Sequence, residues 1–316
     1  MHFRTQIPIL KSDHQIDYDS KVVSLGSCFA VNIAAKLDYY KFRNSVNPFG
    51  ILFHPLALES FLDQVLNKRE LSEKEFFYHN EQWHSFKCHS DLSRSNKEQF
   101  LSNINESSFF ARENIINATH ILITLGTSWV YTDIESETAV ANCHKLPAKR
   151  FRKSLLSVQQ NNDCLIRMEK MILSFNPEVK IIFTISPVRH IKDGFVENQW
   201  SKSNLVSALQ QFLQDHPNSA FYFPSYEIMM DELRDYRFYA EDMLHPNNVA
   251  IDYIWKRFSD TWISPETTIL MQQIESIQKS LAHRPFNSDS LQHKAFLMEI
   301  EQKVANIQAK YPHINF

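Results

Sequence analysis

Four stretches of the chain are continuously apolar instead of alternating, and each stops at a turn signal. Val22-Val23-Ser24-Leu25 stops at Gly26, and Ile121-Leu122-Ile123-Thr124-Leu125 stops at Gly126. Lys180-Ile181-Ile182-Phe183-Thr184-Ile185 runs into Ser186-Pro187, and Ala220-Phe221-Tyr222-Phe223 into Pro224. Unbroken runs of this length mark strands covered on both faces, as in a parallel sheet. Helical spacing fills the intervals, over 29–39, 55–67, 151–175 and 203–215, with a further helix over 249–258. Strand–helix alternation predicts an α/β fold, a doubly wound parallel sheet in a three-layer α/β/α sandwich with right-handed crossovers. The segment 76–88, with Tyr78, Trp83 and Phe86, reads as an inserted hairpin or edge element.

The pattern changes after Trp262. Leu270, Ile274, Ile277 and Leu281 form one amphipathic stripe, Leu297, Ile300, Val304 and Ile307 another, and Arg284-Pro285-Phe286-Asn287 separates them. The expected organisation is one domain over 1–262, carrying the chemistry, and a C-terminal helical extension over 263–316. Both helices of the extension are expected to pack back on the domain, the alternative being a contact surface for a partner. The sequence leaves the oligomeric state open.

Composition narrows the class. A formal charge of −3 gives no electrostatic case for nucleic acid or an anionic membrane. No apolar run approaches the roughly 18 residues of a membrane span, and the segment beginning Met1-His2-Phe3-Arg4 has no signal-like apolar stretch. Cys28, Cys88, Cys143 and Cys164 form no CxxC pair, so a disulfide framework or structural zinc site is not expected and a reducing cytoplasm is the expected compartment. Cys143-His144 and the His84/Cys88/His89 group fit no familiar zinc spacing, and neither a metal nor a cofactor is expected.

Glycine narrows it further. The chain holds four glycines, where average usage at this length gives roughly 22. They sit at Gly26, Gly50, Gly126 and Gly194. Gly26 and Gly126 end strand-like runs, where an open parallel sheet binds its ligands. A potential nucleophile follows Gly26 at a helix start, where amides lower a thiol pKa. The candidate base lies far downstream: in Asp242-Met243-Leu244-His245 a carboxylate three residues before a histidine can fix its tautomer and leave the other nitrogen free.

Together these residues resemble a known family. Gly26-Ser27-Cys28-Phe29-Ala30 is the motif for which the GSCFA family is named, and that family is similar to a branch of the SGNH/GDSL hydrolase superfamily. The likeness continues through Asn47-Pro48-Phe49-Gly50, Leu125-Gly126-Thr127-Ser128-Trp129, Asn142-Cys143-His144-Lys145, Ser186-Pro187-Val188-Arg189-His190 and Asp242-Met243-Leu244-His245, and covers most of residues 1–260. It implies an acyl-ester hydrolase, acting on a small-molecule or O-acylated carbohydrate ester. An acyl transferase, or a degenerate domain that binds a glycan or metabolite without turnover, are the alternatives.

The resemblance also implies roles. Superfamily members carry Gly-Asp-Ser in the first block; here the Asp position falls on Ser27 and the nucleophile position on Cys28, so either is a candidate. Gly50 matches a backbone oxyanion donor. The block that reads Gly-x-Asn-Asp elsewhere holds Ser128 at its Asn position and Trp129 after it, so Thr127, Ser128 or Asn47 must supply the third donor. Asp242 and His245 match in full. Arg189, His190 and Trp129 are candidate substrate contacts, with Lys145 and Lys192 able to meet a phosphate or coenzyme A pyrophosphate.

The plainer readings are specific. Cys28 as a small buried apolar residue, Ser27 as only a helix cap, Asp242 and His245 as a helix-entry turn, and Arg189 ion-paired with Asp193 would each leave the site without chemistry.

Overall fold

A computed structural model describes residues 5–283, 287 and 290–316. In chain order its strands are β1 (Lys21–Gly26), β2 (Arg43–Val46), β3 (Phe76–His79), β4 (Gln82–Ser85), β5 (His120–Leu125), β6 (Trp129–Asp133), β7 (Thr138–Val140), β8 (Phe151–Leu155), β9 (Lys180–Ile185) and β10 (Ala220–Tyr222). Its helices are α1 (Cys28–Tyr39), α2 (Pro55–Leu66), α3 (Lys97–Ile116), α4 (Val158–Phe175), α5 (Phe195–Asp215), α6 (Ser225–Glu227), α7 (Asn248–Trp262), α8 (Pro265–Ala282) and α9 (Leu291–Lys310).

The central sheet is parallel throughout, in the order β10-β9-β5-β1-β2. Alternate residues of each inner strand face opposite layers. Val23, Leu25, Ile121, Ile123, Ile181 and Phe183 bury against α2, α3, α4 and α5, while Val22, Leu122 and Ile182 bury on the other side among residues of α1, α7, α8 and α9. This is the expected three-layer α/β/α architecture, and it explains why the strands read as unbroken apolar runs. In strand order of appearance the sheet runs 2-1-3-4-5, so the chain reverses direction between β1 and β5. That switch point is where such sheets open a crevice for ligands.

The 76–88 segment is a hairpin of β3 and β4. Two boundaries differ from expectation. Residues 151–155 are not helical: they form β8, which pairs antiparallel with β6 in a small sheet β7-β6-β8. The helix begins instead after Ser157, whose hydroxyl accepts the Gln160 amide while Gln160 Oε1 accepts the Ser157 amide, a reciprocal cap. Helix α5 starts at Phe195, eight residues earlier than its apolar stripe indicates, because its first turns bury polar Asn198, Ser201 and Lys202 and expose apolar Phe195, Val196 and Trp200.

Within the extension, Ile274 and Ile277 of α8 and Ile300 and Ile307 of α9 are buried in the same apolar cluster as Phe29 of α1 and Phe258 of α7. Leu281 and Leu297, at the stripe edges, are exposed. Three of the four residues of the expected break, Arg284-Pro285-Phe286, lie outside the described residues, as do the first four of the chain. Among the described residues no helix is long and apolar enough to cross a membrane, and no group of three metal-ligating side chains assembles.

Candidate active site

Gly26 ends β1 at φ +121°, a conformation that L side chains rarely adopt, and a Cβ there would lie 2.1 Å from the Thr124 carbonyl of β5. The close approach turns the chain so that Ser27 and Cys28 lie over the switch point. Ser27 takes the extended N-cap conformation and α1 begins at Cys28. Ser27 is fully buried, and its Oγ has no hydrogen-bond partner. Cys28 is half-buried. Its sulfur faces the helix's own Cys28 and Phe29 amides, which lower the thiol pKa, as does Lys202; burial is the larger effect and the thiol is pushed up.

The neighbouring strand end makes the floor. A Cβ on Gly126 would meet the Phe53 carbonyl at 2.9 Å, Ser27 Cβ at 3.1 Å and His190 Nε2 at 3.4 Å. Three parts of the chain thus converge where a side chain is missing. His190 follows β9, with its amide donating to Asn198 Oδ1 at 2.8 Å. Burial holds its imidazole neutral, with the pKa brought down to about 3, and Nε2 is buried without a partner. Arg189 beside it stacks over Tyr239, 4.9 Å from the ring centre, and makes no pair with Asp193, which binds Lys153 instead.

Asp242 and His245 meet as the spacing predicts. Asp242 Oδ1 accepts the Leu244 and His245 amides, each at 2.9 Å, and Oδ2 lies 2.5 Å from His245 Nδ1. Those amide bonds and the imidazole bring the Asp242 carboxyl down to about 2. The loop is half exposed, and the His245 charge is felt at His190. No hydrogen bond joins His245 to Cys28 or to Ser27.

The expected oxyanion donors divide. Gly50 is not free: its amide donates to the Asn47 carbonyl at 2.8 Å. Its φ of +74° and the His89 Cβ, 2.3 Å from where its own Cβ would stand, give it a packing reason instead. Thr127 and Ser128 are also committed. Thr127 Oγ1 shares a hydrogen bond with Ser201 Oγ and accepts the Trp129 amide. Ser128 Oγ donates to the Ser201 carbonyl and accepts from Asn161 Nδ2. Their hydroxyls lock β6 to α5 and α4, because a buried hydroxyl takes whatever partner lies nearest.

Asn47 remains. It sits at φ +40° with Oδ1 accepting the Gly26 amide at 2.8 Å, which leaves a buried Nδ2 without a partner beside the Ser27–Cys28 turn. Trp129 donates Nε1–H to the Glu197 carbonyl and carries Lys153 4.3 Å over its ring, a supporting place on β6. Lys145 and Lys192 are exposed.

Spacing gave no sign of Lys202, which α5 projects beneath the crevice. It is 1% exposed, and Nζ donates to the Ser186 carbonyl at 2.7 Å. Its polar neighbours Ser201, Ser203 and Asn204 make it read as one polar residue among several in the helix.

Fold and site together define an α/β domain with a Ser27–Cys28 turn at the switch point and an Asp242–His245 pair on the loop before α7. The model of the GSCFA family matches residues 21–258, and the model of the GSCFA domain protein, C-terminal domain, matches residues 274–316. The chain belongs to the GSCFA family. No curated protein matches its sequence. Among solved structures it is similar to a carbohydrate esterase family 3 protein from Talaromyces cellulolyticus, at 13% identity over 53% of this chain and 67% of that one, with a TM-score of 0.28. It is also similar to the acetyl xylan esterase Est2A from the rumen bacterium Butyrivibrio proteoclasticus, at 11% identity over 81% of this chain and 64% of that one, with a TM-score of 0.39.

Proposed function

We propose that the protein is an acyl-ester hydrolase in which Cys28 is the nucleophile, His245 the acid–base and Asp242 the residue that orients it. The observation that carries this reading is the Asp242–His245 pair: Nδ1 is held at 2.5 Å by the carboxylate, which leaves Nε2 free of that bond for proton transfer. Cys28 is preferred to Ser27 because the serine is fully buried while the thiol is half-exposed at the helix amides.

Cys28 Sγ attacks the acyl carbon as its proton passes to His245 Nε2. The Cys28 amide and Asn47 Nδ2 donate to the oxyanion. Collapse expels the alcohol, protonated by His245, and water then attacks the thioester by the same route. Because burial holds the thiol protonated, the base is required in the attack itself, as for a serine. Hydrogen bonds of this kind often tighten only when substrate binds, and His245 sits on a half-exposed loop.

The substrate we favour is an O-acylated carbohydrate. Its support is the aromatic rim of Tyr236 and Tyr239 beneath Arg189, next to the His245 loop, which gives a sugar face something to stack on.

Steady-state hydrolysis of p-nitrophenyl acetate and of acetylated xylo-oligosaccharides tests the reading. Replacing His245 with alanine removes the general base and is expected to lower kcat by about 10²–10⁴-fold, and Cys28→Ala is expected to leave no turnover above background. An unchanged rate in either variant refutes the assignment.

A further inference from the structure

Lys202 stands out among the buried residues. It is 1% exposed, and among the described residues no carboxylate pairs with it. Its one hydrogen bond goes to the Ser186 carbonyl, at the end of β9. The Tyr226 ring from α6 lies 5.7 Å from Nζ, and His190 approaches from the β9–α5 loop. Ser186 in turn donates its amide to the Leu125 carbonyl at 2.9 Å, and a Cβ on the next residue, Gly126, would lie 3.1 Å from Ser27 Cβ, so Lys202 sits under the turn that carries Cys28, and the Cys28 charge acts on its amine. A lone ammonium removed from water is strongly disfavoured unless an anion meets it. A phenol face, a neutral imidazole and a carbonyl do not supply that charge. A thiolate does.

We propose that Lys202 is the internal counter-ion of the Cys28 thiolate, a positioning residue that acts through the nucleophile. When the S–H bond breaks, the proton leaves with the base and Lys202 keeps its own; the product is a thiolate–ammonium pair at the sheet end. The electrostatics agree with the geometry. Burial brings the Lys202 amine down to about 7 and Cys28 draws it up, while Lys202 draws the thiol down. The two therefore titrate as a coupled pair. The positive charge also reaches His190 and adds to burial, the larger effect, in opposing its protonation.

The inference rests on Cys28 being the nucleophile, but its test does not need turnover. The rate of alkylation of Cys28 by iodoacetamide, followed against pH and assigned by peptide mass, reads thiolate directly. In Lys202→Met the midpoint is expected to rise by at least about one pH unit, which is a tenfold loss of alkylation rate near pH 7. Superimposable profiles for the two proteins overturn the proposal. The unaltered chain supplies a second reading that does not depend on a variant folding. Cys143, whose thiol burial pushes up to about 11 with no cation to offset it, is expected to ionise at higher pH than Cys28. Ionisation of Cys28 at or above Cys143 overturns the proposal as well. If the Cys28 profile responds to Lys202 while no ester is cleaved, the ion pair stands and the hydrolase reading fails. If esters are cleaved and the profile does not respond, the hydrolase stands and the ion pair fails.

Discussion

Asn47 holds two parts of the site at once. Its Oδ1 fixes the Gly26 amide, and so the turn that presents Cys28, while its Nδ2 is buried without a partner. A buried donor left unpaired is costly and rare, which is what a group reserved for a ligand looks like. Asn47→Ala is expected to lower kcat by roughly 10²–10³-fold, the cost of one lost oxyanion donor. It should leave KM within a few-fold, because the interaction forms mainly with the tetrahedral intermediate. Steady-state kinetics decide this, and a variant that loses substrate affinity alone would make Asn47 a ground-state contact. Asp242, with its carboxyl near 2, stays ionised through the working range. His190, with its pKa near 3, stays neutral there.

At the scale of elements, legibility followed burial. β1, β5 and β9 are covered on both faces, so their apolar runs announced them and placed Gly26 and Gly126 at adjacent strand ends. β2 is an edge strand of half-buried residues, Arg43-Asn44-Ser45-Val46, and carries no such run. Residues 151–155 read as a continuation of α4 because Phe151 and Leu155 stand at helical spacing and no glycine or proline interrupts them, yet the Ser157/Gln160 cap was the true start signal. Helix α3 was legible in principle: Phe100, Ile104, Ala111 and Ile115 lie on one face at helical spacing, diluted by polar neighbours. The Asp–His pair could be read because both residues lie within four positions of one another. Lys202 and the committed hydroxyls of Thr127 and Ser128 could not, since their partners on other elements are distant in sequence. Gly50 was legible as a special position but not as a packing site, because His89 meets it from a separate loop.

Across the molecule, burial lowers the pKa of several histidines among the described residues, His84 included, and most strongly of His54, His120, His144 and His190. Burial brings His54, His120 and His144 to about 4 and His190 to about 3, against an ordinary value of 6.5. A histidine whose folded pKa lies below its unfolded one binds its proton preferentially in the unfolded chain. Stability is therefore full above about pH 6.5 and falls as the pH drops toward 4, as the unfolded state is drawn off by protonation. The urea midpoint is expected to decline steadily across that window; a midpoint flat from pH 7 to pH 4 would show that these imidazoles are solvated. His54 caps α2 on one face of the sheet, and His120 lies two residues from Leu122 on β5, on the other face, so acid should loosen the sheet as one unit and not only the C-terminal helices.

The most direct measurement of the central claim is the mass of the protein caught in the act. Mixed with p-nitrophenyl acetate and quenched in acid within the burst, the chain is expected to carry a single acetyl group, mapped by peptide fragmentation to Cys28. That adduct is expected to accumulate further in His245→Ala if deacylation suffers more than acylation, and to be absent in Cys28→Ala. An acetyl group on Ser27, or full hydrolysis by the Cys28→Ala protein, would contradict the account.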